Sequence, residues 1–335
     1  MNGGRVTAFF GERDGVDGRF LAERVIAEFE EAGLRGAILM RGVEGFGGKH
    51  RLRTDRLLTL SEDLPVVAIG VGERSRADVA AGRIGALSFE GLVTTEEIGL
   101  AATATAIGEA AEDRVKLAVY VGRGRSAGDR PAHESLVDRL SEAGADAAVA
   151  LLGVDGVLAG ERRRAGFFGR NADVPALVLA VGSTRALSGV AGDLGSGTGD
   201  AIVTWERTRI CKRDGGDLAP PSGPGPSLRR MTLYASQQDH AAGRPLHVEA
   251  VRRLRAAGAA GATALRGIRG FDGNREPHGD SLWSVRRRVP TVTTVVDEPD
   301  RCDRWLEILD ELTPEHGTIV CEEVAGPHSS PEGTS

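Results

Sequence analysis

Arg41-Gly42-Val43-Glu44-Gly45-Phe46-Gly47-Gly48 is the segment of this chain whose residue types are best suited to chemistry. Glycines admit positive φ and let a ligand approach the backbone. Successive N–H groups in such a turn form an anion-binding nest. Arg41 would add a fork of donors for a phosphate or carboxylate. The same types return as Arg266, Gly267, Gly270, Phe271 and Gly273. Between these two segments stand Leu152, Gly153, Gly156, Val157 and Ala159, where the Arg and the aromatic are lost. The plainer reading is a β-turn and bulge that needs glycine. Phe46 and Phe271 either stack on a base or pack beneath the turn, and packing is the favoured reading.

A second candidate is Arg19, with Arg130 and Arg244 at matching positions just before a helical pattern. Beside a helix N-terminus such an Arg would complete an anion site; otherwise it serves in a surface ion pair. His133 and His247 follow three positions later, but Ala22 stands there in the first segment, which favours a local hydrogen bond. A third candidate is the loop carrying Lys49, His50, Arg51, Arg53 and Arg56. A charged loop suits recognition of a partner or an anion. Arg162-Arg163-Arg164 and Arg286-Arg287-Arg288 keep the positive character in the other two segments.

Metal and catalytic constellations are absent from the sequence. The seven His form no HxxxH or HxH pair. One GxSxG string occurs, Gly124-Arg125-Ser126-Ala127-Gly128 in copy two with no counterpart in the other copies, and no GxxxxGK[ST] string occurs. Glu44 and Glu62-Asp63 are the acids near the first turn, and Arg269 stands opposite Glu44, so no shared general acid is expected.

These residues sit in a unit written three times. Gly33, Gly144 and Gly258 anchor the copies, and Gly42, Gly153 and Gly267 follow nine positions later. A Leu-Pro or Val-Pro pair comes next, at Pro65, Pro175 and Pro290. Each copy opens with an apolar run (6–10 or 231–235) that reads as a buried strand. A helix follows, with Val25/Leu136/Ala250, Ile26/Val137/Val251 and Phe29/Leu140/Leu254 on one face. A second strand (37–40, 148–151, 262–265), a third beginning at the Pro, a second helix and a closing strand (91–98, 201–208, 317–324) complete it. In copy three the second helix begins near Pro299; in copy two the glycine-rich stretch GSTRALSGVAGDLGSGTGD predicts a short or frayed one.

The order βαββαβ, three times, predicts an α+β protein of three tandem ferredoxin-like units. The expected units are 5–100, 115–210 and 229–324, with linkers at 101–114 and 211–228 and a disordered tail at 325–335. Helices cover one sheet face, and the apolar strands demand a cover on the other.

Of the 335 residues, 41% are hydrophobic, enough for packed cores and against wholesale disorder. No apolar run suits a membrane span or a signal peptide, so a cytoplasmic location is expected. The net charge of −6 argues against bulk nucleic-acid binding. Only three of 42 basic residues are Lys, as codon bias in a GC-rich genome would give. Cys211, Cys302 and Cys321 form no CxxC pair and are expected as free thiols.

The string GLRGAILMRGVEGFG, the LSEDLP at 60–65 and the GAAGATALRGIRGFDG of copy three resemble the bacterial family called domain of unknown function 190. That family looks like the PII signalling proteins, ferredoxin-like subunits that trimerise with inward sheets and bind ligands between subunits. The resemblance implies a single-chain pseudo-trimer, a monomer with each unit in one subunit position. It also implies that the loop after the first turn corresponds to the regulatory loop of PII proteins. The expected function is non-catalytic: a sensor that binds a small anionic effector, most plausibly an adenine nucleotide, and modulates a partner. A membrane transporter or CrcB-type fluoride channel is the partner the resemblance implies, and no resident cofactor is expected.

Two other classes share the scaffold. An RNA recognition motif is also βαββαβ, but it needs sheet aromatics that stack bases. Tyr120 and Tyr234 are read here as falling at different positions of their copies. An acylphosphatase-like enzyme needs a positioned Asn, and Asn274 is unmatched in the other copies.

Overall fold

The computed structural model describes residues 2–55, 63–101, 114–165, 174–197, 201–216, 228–279 and 289–326. Arg56, Arg286-Arg287-Arg288, most of both expected linkers and residues 327–335 lie outside the described residues.

Each copy forms a four-stranded antiparallel sheet. In the first, Gly36–Arg41, Pro65–Glu73, Asn2–Gly11 and Leu92–Ala101 lie side by side in that order. The second arranges Ala147–Leu152, Pro175–Ser183, Arg114–Gly122 and Ile202–Arg207 in the same way. The third uses Ala262–Arg266, Pro290–Asp297, Leu228–Ser236 and Thr318–Val324. Pro65, Pro175 and Pro290 each begin a central strand, where a missing N–H is tolerated.

One sheet face carries the helices. Leu21, Val25, Ile26 and Phe29 of Leu21–Glu31 are buried in repeat 1, and Leu246, Ala250, Val251 and Leu254 of Leu246–Ala256 in repeat 3. The second helix of repeat 2, Thr184–Gly197, runs 14 residues, which corrects the expectation of a short or frayed one. Leu187, Val190, Ala191 and Leu194 bury an i, i+3, i+4, i+7 stripe, and that burial outweighs the cost of its glycines. In repeat 3, Pro299 occupies the first turn of Pro299–Leu312, and Trp305 is fully buried, donating its indole N–H to Asp297 at 3.0 Å.

The other faces cover one another. Ile38, Met40 and Val67 of repeat 1 share a buried cluster with Tyr120, Leu151 and Leu177 of repeat 2 and Tyr234, Leu265 and Val292 of repeat 3. Three exchanges lock this arrangement. Glu44–Phe46 of repeat 1 pairs with Ala262–Arg266 of repeat 3. Asp155–Leu158 of repeat 2 pairs with Gly36–Arg41 of repeat 1, and Arg269–Asp272 of repeat 3 with Ala147–Leu152 of repeat 2. Each repeat thus lends a strand to one neighbour and borrows from the other, and the cycle closes.

The closing strands also meet at the seams. Leu92–Ala101 pairs with Ile202–Arg207, and Thr95 bridges Ala325. The start of the expected second linker is a strand: Arg209–Arg213 pairs with Thr318–Val324 along the edge of repeat 3. Cys211 and Cys321 are joined there as a disulfide, which corrects the expectation of three free thiols. Cys302 alone is free, and burial pushes its thiol up to about 12.

Candidate functional site

The glycine-rich turns are first of all exchange devices. Gly42 N–H donates to Pro65 O at 2.7 Å and Val43 N–H to Ala264 O of repeat 3 at 2.8 Å. A Cβ on Gly42 would stand 2.9 Å from Ala264 O, and one on Gly45 2.7 Å from Ala262 O. Gly267 and Gly270 meet Ala150 O and Ala148 O of repeat 2 in the same way, at 3.0 and 2.6 Å. Glycine is needed because a neighbour's backbone lies against it.

The aromatic that follows each turn is core of the neighbour. Phe46 packs with Met231, Leu254 and Trp305 of repeat 3, and Phe271 with Leu136 and Leu140 of repeat 2. Val157 plays the part in the core of repeat 1. Glu44 is buried and accepts from Thr54 Oγ1 at 2.8 Å.

Beyond the exchange the three junctions differ. Between repeats 1 and 3 lies a cleft of about 350 Å³, walled by Phe9, Phe10 and Phe46 and edged by Gly47, Gly48, Arg53, Asp297 and Arg301. Nothing lies within 4 Å of a Cβ on Gly47 or Gly48. Ala260 and Gly261 keep the facing wall small. At the junction of repeats 3 and 2, Asp272 and Gly273 stand where Gly47 and Gly48 do. There Gly317 N–H donates to Asp272 at 3.1 Å, Arg275 contacts it at 3.4 Å, and Arg213 and Arg114 both reach Asp146. Burial pushes the Asp272 carboxyl up to about 6 against the pull of Arg275. The junction of repeats 2 and 1 has Leu158 and Ala159 at these positions.

The predicted basic residues are not brought together. Arg41 is ion-paired with Glu12 and lines a separate groove of about 560 Å³ with Phe20 and Arg164. Arg266 is 3.4 Å from Asp55, and neither Arg lines the cleft. Arg130 donates to Asp138 at 2.6 Å and Arg244 to Glu249 at 3.4 Å, each to the helix that follows, while Arg19 is exposed. His133 is buried with no partner for Nδ1 among the described residues, and burial lowers its pKa.

The start of the expected regulatory loop is folded down. Arg53 reaches Asp63 at 2.9 Å and Asp14 at 3.4 Å. Burial raises the Asp14 carboxyl, although Gly11 N–H and Arg53 pull it down. His50 has φ of 52°, stacks on Phe46 at 5.7 Å, and offers its carbonyl to Arg255 of repeat 3 at 2.5 Å. Lys49 pairs with Glu90, and Arg51 is exposed.

Sequence reasoning missed the centre. Arg5, Lys116 and Arg230 hold one register position on the first strands, opposite Glu96, Glu206 and Glu322 on the last. Arg5 meets Glu206 at 2.5 Å and Glu96 at 3.6 Å. Lys116 meets Glu206 and, at 2.5 Å, Glu322; Arg230 meets Glu322 at 2.6 Å and Glu96 at 2.5 Å. The result is a closed, alternating ring of six buried charges. Burial alone would raise Glu206, but Arg5, Lys116 and Arg230 hold it well below the carboxylate range. The three carboxylates come within 4.8 Å of one another, yet their charge is already balanced, so the donor set does not call for a metal.

The tyrosine reading is also corrected. Phe9, Tyr120 and Tyr234 pair with Val67, Leu177 and Val292 and share one inward position. Tyr120 and Tyr234 are buried at the centre and Phe9 is partly buried beside them, rather than displayed for stacking bases. The signal was in the sequence: charged residues at equal offsets inside apolar strands, and an aromatic four residues after each.

One family model matches the chain in three places, over residues 3–100, 114–210 and 228–326: DUF190, described as an uncharacterized ACR.

Proposed function

The chain belongs to the DUF190 family, in three tandem copies, and from that premise we propose a non-catalytic, PII-like sensor. In this reading the repeats are ferredoxin-like units closed into a single-chain pseudo-trimer. The effector is a small anion with a planar part, most plausibly an adenine nucleotide, bound between repeats 1 and 3. The partner is a transporter or a CrcB-type fluoride channel, taken from the resemblance.

The observation that carries the site is the contrast between junctions. Among the described residues, only one pairs the open backbone of Gly47 and Gly48 with the aromatic wall of Phe9, Phe10 and Phe46. Arg53, paired with Asp63 and Asp14, and Arg301, paired with Asp297, stand at its edge, and an anionic group would compete with those carboxylates for their donors. Divergence between copies, which identical subunits cannot undergo, leaves one cleft open and fills a second with Asp272, Arg275 and Arg213. Ligand binding across the cleft would tie repeat 1 to repeat 3 and bias the loop after Thr54.

Calorimetric titration with ATP, ADP, AMP and cyclic nucleotides tests this. One nucleotide is expected to bind once per chain. Gly47→Leu, whose Cβ meets no neighbour within 4 Å, is expected to abolish binding with the melting temperature kept, whereas Arg41→Ala with Arg266→Ala leaves binding intact. Three equivalent sites, or unchanged binding in Gly47→Leu, would sink the assignment.

A further inference from the structure

The charge ring has two unlike sides. A cavity of about 60 Å³ lies on one side, lined by Arg5, Lys116, Arg230, Thr7, Tyr120 and Tyr234. The ring carboxylates do not line it; Glu96, Glu206 and Glu322 line an outer hollow of about 760 Å³ on the other side. The ring is therefore a double layer, neutral in sum, with its cationic face turned inward.

The inner wall is rich in donors. Arg and Lys only donate. Among the described residues, Tyr234 Oη and Thr7 Oγ1 are buried with no hydrogen-bond partner, and Tyr120 Oη lies beside Arg5 without a hydrogen bond of good geometry. Those side chains are 1–3% exposed. Orphaned buried hydroxyls are costly and call for a guest. The side-chain acceptors on this wall are the hydroxyl oxygens of Thr7, Thr232, Thr263, Thr294, Tyr120 and Tyr234, each of which also carries a proton to donate, while Arg5, Lys116 and Arg230 offer a guest donors alone. A guest that only accepts fits better.

We propose that this central cavity is a binding site for a monoatomic anion of halide size, held by the tyrosine and threonine hydroxyls over the cationic face of the ring. The site is distinct from the cleft between repeats 1 and 3 and stands whether or not that cleft takes a nucleotide. The chain supplies its own control: Phe9 fills the third position of the aromatic layer without a hydroxyl, so Phe is compatible with the packing there.

The test uses the full chain, purified and crystallised in sodium bromide, with diffraction measured at the bromine edge. An anomalous peak is expected in the cavity within hydrogen-bond reach of the hydroxyls of Tyr120 and Tyr234. It should vanish in Tyr120→Phe with Tyr234→Phe. A wild-type cavity that is empty, or filled by density without anomalous signal, overturns the proposal. In solution, the melting temperature in bromide should exceed that in gluconate at equal ionic strength, and Phe9→Tyr should widen the gap. An equal gap in wild type and double variant overturns it as well.

Discussion

At the scale of single residues, the six ring charges are the most consequential side chains. Each carboxylate serves at least two cations, so removing one leaves buried cations short of a partner. Glu206→Gln weakens Arg5, Lys116 and Arg230 together. Breaking a buried pair costs about 3–5 kcal/mol, and urea unfolding at pH 7 should show a loss of that order. The pH dependence has a fixed sign. The folded pKa of Glu206 lies below its unfolded value, near 4.3, so the contribution is complete above that value and is lost as pH falls through the folded pKa. Melting curves of the wild type should therefore steepen downward with acid below about pH 4–5, and Glu206→Gln should flatten that limb. An unchanged acid limb in the variant would show that other carboxylates govern it.

At the scale of elements, the exchanged hairpin couples repeats. Phe46 belongs to repeat 1 by sequence and to the core of repeat 3 by contact. Phe46→Ala should cost about 3–5 kcal/mol. Hydrogen exchange should rise first in Leu246–Ala256 and Pro299–Leu312, not in the helices of repeat 1. Loss of protection confined to repeat 1 would contradict the exchange. Much of this layer was legible in advance: glycine spacing, the apolar helix stripes and the strand-initial prolines each gave an element its place. The destination of the hairpin was not, because a strand that pairs outside its own unit carries the same local pattern as one that pairs within it. Thr184–Gly197 shows the complementary failure, where helix propensity is poor and tertiary burial decides.

At the scale of the whole molecule, three repeats satisfy one another's edges and inward faces. Light scattering of the dilute chain is expected to report about 35.2 kDa. Three times that mass would mean that repeats pair between chains instead. Fusion favours the closed form by raising the effective concentration of each neighbour. The Cys211–Cys321 disulfide adds a covalent tie between the strand leaving repeat 2 and the edge of repeat 3.

Sequence by itself determined the threefold repeat, the order of elements, the helix-bearing face and the need for a second cover, because these follow from local periodicity and from glycine and proline stereochemistry. It also singled out Phe46 and Gly47 as candidate ligand contacts and Arg53 as a residue of the charged loop, and the cleft between repeats 1 and 3 is lined by all three. Tertiary structure alone decided which neighbour each hairpin enters, which junction stays open, and that Arg41 and Arg266 are spent on Glu12 and Asp55. It alone brought Arg5, Lys116 and Arg230 to face Glu96, Glu206 and Glu322 across the centre. Each charge stands out inside its own apolar strand, but which charges face one another is decided only when the three repeats pack together.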